Sequence, residues 1–126
     1  MYFRYKSKIL KIYVTASALT DPLYDLVHRY RLLKGKEDRN AKTNRFGTTK
    51  IERPKGPLTW FHAASLGESL AVLPLIDKLL SNDKDSHILL TTQTLTSARI
   101  LRQRLPPRAI HQVAPYDTDR ATTRFL

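Results

Sequence analysis

The residues with the clearest chemical potential lie in one short segment, WFHAASLGES, at residues 60–69. Ser65 and Gly67 fall where an apolar run changes into a helical pattern, and Glu68 falls in the first turn of the expected helix. Gly67 lets a ligand approach the backbone closely because it has no side chain. The start of a helix offers free N–H groups and a partial positive charge. A carboxylate placed there can take a proton from a bound hydroxyl group, so the segment is compatible with general-base chemistry at Glu68.

A structural role for Glu68 competes with this interpretation. Ser65 and Glu68 have the spacing of a capping box, in which the carboxylate would accept a hydrogen bond from the backbone N–H of Ser65. On local sequence alone, capping is favoured over catalysis. His62, in the strand just before, is more typical of a satisfied core or supporting residue than of a catalyst. A single glycine is also too little for a dinucleotide-binding fingerprint.

Several other kinds of chemistry are excluded by composition and spacing. The chain has no cysteine, which excludes disulfides and thiolate metal sites. Its four histidines are dispersed along the sequence, and no cluster of possible ligands has metal-binding spacing. No G-x-S-x-G nucleophile elbow occurs. The sequence therefore predicts neither a metal ion nor a cofactor.

The elements around this segment follow a regular order. Short apolar runs are expected to form strands at residues 58–63, 87–92 and 109–114, and helical patterns occupy residues 68–80, 97–105 and 117–126. Alternating strands and helices predict an α/β fold with a parallel sheet. The carboxyl ends of parallel strands meet at one edge, where ligand sites form. We therefore expect the loops at residues 64–67, 93–96 and 115–117 to lie together.

Helix ends give more local predictions. Thr94 or Thr96 is expected to cap the second helix, although these hydroxyls are also able to contact a sugar or phosphate. Asp117 is a candidate cap for the third helix. Pro74 falls inside the first helix and predicts a kink or a late start there.

The region before the first strand divides into two parts. Residues 1–34 are basic and show two short amphipathic helices, the second with Asp21 as its expected cap and Pro22 at its first position. Residues 35–57 are rich in glycine, proline and charge, and are expected to be a linker before the sheet domain at residues 58–126. The apolar face of the second helix either lies on an anionic membrane or packs on the core, and it is formed by Leu23, Leu26, Val27, Tyr30 and Leu33. The sequence favours neither.

The net charge of +11 is unevenly spread. Residues 1–55 hold 14 Lys and Arg against 5 Asp and Glu, whereas residues 56–126 hold 8 against 6. A basic segment of this kind usually meets phosphate in a nucleic acid, a membrane or a phosphorylated ligand, although simple solubility is an alternative. No apolar run approaches the roughly 18–20 residues that span a bilayer, and Lys8 and Lys11 interrupt any signal-peptide core. We therefore expect a cytoplasmic chain.

Four segments, in order, resemble the bacterial 3-deoxy-D-manno-oct-2-ulosonic acid (Kdo) transferases. GPLTWFHAASLGESLAVLPLIDKLL resembles their first strand, turn and helix. Upstream, one segment at residues 31–47 resembles their G-K-E-D element, here at residues 35–38, followed by an R-[LF]-G element, here at residues 45–47. Downstream, residues 91–98 resemble a T-T-x-T-x-T-S segment, and residues 115–117 a P-x-D element. The resemblance covers about residues 25–126.

The resemblance implies the N-terminal, Rossmann-like acceptor domain of a GT-B glycosyltransferase, with the donor domain absent. It implies transfer of Kdo from CMP-Kdo to a hydroxyl of a lipid A precursor, without a metal ion, at the cytoplasmic face of the bacterial inner membrane. This would be a step of lipopolysaccharide biosynthesis. Glu68 is then the general base, and Ser65 and Gly67 lie at the substrate. The isolated chain is expected to be inactive.

Two other functions stay open at this point. One is a non-catalytic basic Rossmann-like module that binds an anionic membrane or a phosphorylated ligand. The other is a structural partner domain in a larger assembly. Nucleic acid is not an expected partner, because the aromatic residues of the basic region lie mostly on the predicted helices and no nucleic-acid motif appears.

Overall fold

The computed structural model describes residues 7–37 and 41–126, and the predictions for residues 1–6 and for Asp38 lie outside this range. Within these ranges nine elements follow in this order: α1 Lys8–Ala18, α2 Asp21–Leu33, α3 Ala41–Arg45, β1 Leu58–Ala63, α4 Leu66–Asn82, β2 His87–Thr92, α5 Leu95–Leu101, β3 Ala109–Val113 and α6 Asp119–Phe125.

The three strands form one parallel sheet in the order β1-β2-β3. Leu58 lies opposite His87 across β1 and β2, and Ile88 lies opposite Ala109 across β2 and β3. This confirms the predicted α/β fold with a parallel sheet. Within the described residues β1 pairs only with β2, so its outer edge is unpaired.

One face of the sheet carries the hydrophobic core. Side chains alternate between the two faces of a strand, so Ile88 and Leu90 point to the same side, and both are buried. They pack against Ile76 and Leu80 of α4 and Leu101 of α5. Burying each such side chain stabilises the fold by about 1.5–3 kcal/mol. The two helices that connect the strands therefore share this core face.

The last helix, α6, lies on the opposite face. The ring centroid of Phe125 is 5.1 Å from that of Trp60, and Trp60 alternates with the core-facing Phe61 along β1. Tyr13 of α1 also donates a hydrogen bond to Asp117, just before α6. The sheet is thus covered by α4 and α5 on one side and partly by α6 on the other.

All three helices predicted in the sheet segment have different bounds in the structure, and the third, α6, runs from Asp119 to Phe125 instead of over residues 117–126. Helix α4 begins at Leu66, two residues earlier than expected, and continues through Pro74 to Asn82. Helix α5 ends at Leu101, not at residue 105. Pro106 disfavours helical backbone at Leu105, so the helix does not reach that residue. Leu105 instead packs against the core.

The cap predictions have mixed outcomes. Thr94 caps α5, since its hydroxyl accepts a hydrogen bond from the N–H of Ser97. The prediction for Asp117 is wrong: Thr118 caps α6 by accepting from the N–H of Ala121 at 3.2 Å. Asp117 stands one residue too early to reach that N–H. Likewise, α2 already begins at Asp21, so the cap position falls to Thr20, which makes no side-chain cap bond.

The segment expected to be a linker contains the short helix α3 and three glycines with positive φ. These are Gly35 at 65°, Gly47 at 79° and Gly56 at 92°. Helix α3 buries Ala41 and Arg45. The division at residues 34 and 57 stays a prediction, but the segment contributes structure of its own.

Gly47 and Gly35 give a matched test of packing at a turn. A Cβ on Gly47 would lie 2.0 Å from the carbonyl oxygen of Ala121 in α6, whereas one on Gly35 would meet nothing within 4 Å. Gly35→Ala is expected to lower the free energy of unfolding by about 1–2 kcal/mol, the cost of left-handed backbone. Gly47→Ala adds a clash and should cost at least about 3 kcal/mol. Urea unfolding measures both, and equal losses would contradict the packing of α6 on this turn.

Candidate active site

Glu68 is held by a reciprocal set of hydrogen bonds at the start of α4. The hydroxyl of Ser65 accepts from the N–H of Glu68 at 3.2 Å and donates to Glu68 Oε1 at 3.1 Å. Glu68 Oε2 accepts from the backbone N–H of Ala64 at 2.9 Å. The carboxylate therefore does cap the helix, but it uses the N–H of Ala64, not that of Ser65 as the spacing predicts. All three residues are exposed.

Capping leaves Glu68 with further capacity to accept hydrogen bonds. An ionised carboxylate offers about four lone-pair sites, and each oxygen of Glu68 has one protein partner. The two partners fix the carboxylate at the carboxyl end of β1 while its side chain stays accessible. Proton transfer from a bound hydroxyl is chemically compatible with this arrangement, and the catalytic role of Glu68 stays a prediction.

Gly67 is not required by the local fold. A Cβ built on it would meet only the Ser65 hydroxyl oxygen, at an ordinary 4.0 Å, and its φ lies outside the left-handed region. Neither backbone strain nor packing therefore explains a glycine here. Close approach of a ligand to the backbone therefore stays the predicted reason for Gly67. The substrate contact expected of Ser65 also stays a prediction.

The loops that follow the three strands meet at one edge of the sheet, as expected from the parallel order. Ala63 at the end of β1 lies opposite Thr92, and Thr92 lies opposite Val113 at the end of β3. Residues 93 and 114, which directly follow β2 and β3, therefore lie side by side at this edge. This edge is the natural place for a site that draws on several loops.

Arg45 joins these loops, and the sequence does not predict its role. Its side chain is only 3% exposed. It donates hydrogen bonds to the side-chain oxygen of Gln93 at 3.0 Å, to the carbonyl oxygen of Gln93, and to the carbonyl oxygen of Ala114 at 3.1 Å. The guanidinium group carries several N–H donors in one plane, so a single arginine side chain can donate to several carbonyl oxygens at once.

A buried carboxylate balances this charge. Glu37 Oε2 lies 3.3 Å from Nη2 of Arg45 and 3.2 Å from Nε of Arg31, and the Glu37 side chain is fully buried. Buried charges need such partners, since an isolated one is strongly destabilising. In the sequence, Glu37 and Arg45 stand out only through the resemblance of their segments to G-K-E-D and R-[LF]-G. Charge composition alone would place both residues in a solvated linker.

Tyr116 connects helix α2 to the same cluster. Its ring stacks on Tyr24 with centroids 4.6 Å apart, meets the edge of Phe46 at 5.4 Å, and lies 5.6 Å from the guanidinium group of Arg45. Its hydroxyl oxygen is 3.3 Å from Nδ1 of His28. Burial raises the pKa of Tyr116 and lowers the pKa of His28, which favours the neutral form of both groups. This neutral pair packs beside the buried ions.

Helix α2 is therefore oriented with its apolar face outward. Tyr24, His28 and Arg31 face the body of the protein. The apolar face identified in the sequence is exposed, at Leu23, Leu26, Val27, Tyr30 and Leu33. Helix α1 also exposes Ile9, Ile12 and Leu19. Of the two alternatives for this face, packing on the core does not occur within the described residues.

The histidines serve separate local roles. His111 Nε2 lies 2.8 Å from the Thr92 hydroxyl oxygen, and burial lowers the pKa of His111 to about 4. His62 is exposed near the end of β1, so the core position is wrong for this residue, whereas the alternative of a supporting role stays a prediction. In the part of the chain that the structure covers, no three potential ligands come together as a metal site. No helix there is both long and apolar enough to cross a membrane.

Comparisons with known proteins identify a class of glycosyltransferase. The profile of a family described as 3-deoxy-D-manno-octulosonic-acid transferase (kdotransferase) matches residues 40–126. A probable mitochondrial 3-deoxy-D-manno-octulosonic acid transferase of Arabidopsis thaliana is 38% identical over 118 residues, or 94% of this chain and 26% of the plant protein. A 3-deoxy-D-manno-octulosonic acid transferase of Rickettsia bellii is 37% identical over 118 residues, 94% of this chain and 28% of that protein.

This chain belongs to the Kdo transferase family. It spans about a quarter of the length of these two curated relatives. A more distant relative from Chlamydia pneumoniae is 31% identical over 90 residues, covering 70% of this chain and 21% of that protein. No solved structure matches the chain.

Removing the Arg45 side chain should strongly destabilise the fold. Among the described residues, Arg45→Ala leaves the buried Glu37 carboxylate with Arg31 as its one ion-pair partner. It also removes hydrogen bonds from two loops, and we expect a loss of about 3–5 kcal/mol in the free energy of unfolding. Arg53 is exposed, so Arg53→Ala should change it by less than about 0.5 kcal/mol.

A double variant sharpens this test. Glu37→Leu combined with Arg45→Met removes both charges together and should recover part of the loss, because no unpaired charge stays buried. Denaturant unfolding gives the free energy of unfolding of the wild type, the two single variants and the double variant. Arg45→Ala and Arg53→Ala variants of equal stability would contradict the role of Arg45.

Proposed function

We propose that this chain forms the acceptor-binding part of a transferase that moves Kdo from CMP-Kdo to a hydroxyl of a lipid A precursor. The observation that carries the proposal is the exposed Glu68 carboxylate, fixed by Ala64 and Ser65 at the carboxyl end of β1. Membership of the Kdo transferase family supports the sugar and the reaction type. We assign CMP-Kdo to a donor domain outside these 126 residues.

In the proposed reaction, Glu68 acts on the acceptor. Its carboxylate takes the proton of an acceptor hydroxyl as that oxygen forms a bond to the anomeric carbon of Kdo. The bond between that carbon and the phosphate oxygen of CMP breaks, and CMP leaves with the electron pair. Ala64 and Ser65 hold the carboxylate in one orientation, which a positioned general base needs. Gly67 leaves the adjacent backbone open to the acceptor.

The position of α6 supports a doubly wound sheet, as a GT-B fold requires. The helix that connects two parallel strands makes a right-handed crossover. When each new strand is added on the same side of the sheet, the connecting helices therefore lie on one face, as α4 and α5 do. Helix α6 lies on the opposite face. A parallel strand following it would be added beside the free edge of β1. The crevice where the strand order reverses, the usual ligand site in such sheets, would then adjoin Glu68.

The exposed face of α2 supports attachment to a membrane. Apolar side chains at Leu26 and Leu33 are 64% and 87% exposed, and large exposed apolar patches commonly mark interaction sites. Lys34 and Lys36 follow the helix, and both are exposed. Each such cation contributes about 1 kcal/mol near an anionic surface. We propose that these groups hold the protein at the cytoplasmic face of the inner membrane, where the lipid A precursor is reached.

Glu68→Gln in a complete transferase containing this chain is expected to lower the rate of Kdo transfer by about 100-fold or more, because a positioned base contributes at least that much. Loss of the cap that Glu68 provides should lower the free energy of unfolding by no more than about 2 kcal/mol. Transfer from CMP-Kdo to the acceptor is measured alongside thermal unfolding.

Asp119→Asn is the matched control, since Asp119 is the acidic residue in the first turn of α6. It should leave transfer within about threefold of the wild type. Normal transfer by Glu68→Gln would overturn the base assignment. Absence of transfer by the complete wild-type protein, with retained vesicle binding, would support the non-catalytic membrane module.

The membrane proposal is tested on α2. Replacing Leu26 and Leu33 together by glutamate should reduce binding to phosphatidylcholine vesicles containing phosphatidylglycerol at least about tenfold, because two apolar side chains worth about 1.5–3 kcal/mol each can no longer insert. Vesicle sedimentation measures the bound fraction. Ile51 is also exposed but lies outside this helix, so Ile51→Glu should bind normally. Equal binding by all three proteins would remove the membrane assignment.

A further inference from the structure

His62 occupies an unusual position for a strand residue. It is the last residue but one of β1, and its side chain is exposed. It precedes by two residues Ala64, whose N–H holds the Glu68 carboxylate. Two strand residues span about 6.5 Å, so His62 and the anchor of Glu68 are close neighbours along the chain. The reaction described above gives His62 no role.

A buried threonine orients the imidazole ring. Thr91 lies in β2 directly opposite His62 and is fully buried. Its hydroxyl oxygen lies 2.9 Å from Nε1 of Trp60, 3.0 Å from Nδ1 of His62 and 3.3 Å from the carbonyl oxygen of Phe61. Three partners therefore share one hydroxyl group, which has one proton to donate and two lone pairs.

Counting donors and acceptors favours one tautomer of the ring. The indole N–H of Trp60 only donates and the carbonyl of Phe61 only accepts. All three contacts are hydrogen bonds at once when the Thr91 hydroxyl donates to the carbonyl of Phe61 and accepts from Trp60, whereas donation to Nδ1 of His62 would leave the contact with the carbonyl without a proton. Its second lone pair can then accept only if Nδ1 of His62 carries the proton. In the neutral ring with that tautomer, Nε2 is a free hydrogen-bond acceptor.

We propose that Nε2 of His62 accepts a hydrogen bond from a sugar hydroxyl of the acceptor, and that Thr91 is the positioning residue that sets the tautomer. This inference rests on the proposed function, since it assigns the acceptor to the same strand end. His62 and Glu68 then form a pair of anchored acceptor groups, which suits a ligand rich in hydroxyl donors. Glu68 takes the reacting proton, and His62 fixes the orientation of the sugar.

The tautomer is read directly by nitrogen NMR of the 126-residue chain labelled with ¹⁵N-histidine. Wild-type His62 is expected to carry its proton on Nδ1, and Thr91→Val should shift the population toward Nε2–H. A wild-type ring protonated on Nε2 would overturn the inference whatever the enzyme does.

Kinetics of a complete transferase containing the chain separate His62 from Glu68. Asparagine at position 62 places an amide N–H toward Thr91 but has no group at the position of Nε2. His62→Asn should therefore raise the KM for the acceptor about 3- to 10-fold, the loss of one net hydrogen bond, with kcat within about twofold. Glu68→Gln should instead lower kcat.

His87 gives the matched control, because it lies on the same face at the opposite end of the neighbouring strand, across from Leu58. His87→Asn should leave the acceptor KM unchanged. An unchanged KM in His62→Asn beside an inactive Glu68→Gln would overturn this inference and leave the proposed function standing.

If Glu68→Gln proves active, the base assignment fails independently. His62 is then judged by binding of a deacylated bis-phosphorylated glucosamine disaccharide to the 126-residue chain. Weaker binding by His62→Asn than by the wild type supports the contact. Equal binding overturns it.

Discussion

The carboxyl edge of the sheet depends on the single guanidinium group of Arg45. Three covalently distant parts of the chain meet there: α3, which carries Arg45, and the loops after β2 and β3, which supply Gln93 and Ala114 as acceptors. Glu37 compensates the charge and brings Arg31 of α2 into the same network. Because an unpaired charge cannot stay buried at low cost, each of these segments stabilises the others through the Arg45 contacts. The loops after β2 and β3 are therefore joined by an ion pair that takes no part in the proposed reaction.

The same network explains how α2 is attached. An amphipathic helix usually docks through its apolar face. Here, Tyr24 and His28 pack on Tyr116, and Arg31 binds Glu37. Aromatic stacking and buried hydrogen bonds thus replace the apolar contact, and the apolar side chains stay available for another surface. The fold and the proposed membrane contact use opposite sides of one helix, so neither has to be broken for the other to form.

The parallel sheet, the order of its elements and the turn carrying Glu68 were predictable because they depend on local periodicity and on short-range spacing. The Arg45 cluster was not, because its partners lie 48 and 69 positions away in sequence, and a charge in a glycine-rich segment looks solvated. The outward orientation of α2 was undetermined for the same reason. Amphipathicity shows that a helix has two faces, but only tertiary partners decide which is buried. The cap at Thr118 and the end of α5 differ from expectation by a few residues, since hydroxyl geometry and Pro106 set those ends.

The free edge of β1 has a further consequence for how this chain behaves in isolation. The strand LTWFHA contains no proline and no lysine, arginine or acidic residue, so it lacks the features by which natural edge strands avoid pairing with other chains. An unpaired row of backbone donors and acceptors with β-favouring side chains is a template for aggregation. The strand that carries the proposed chemistry thus also has an edge that a neighbouring strand would have to cover.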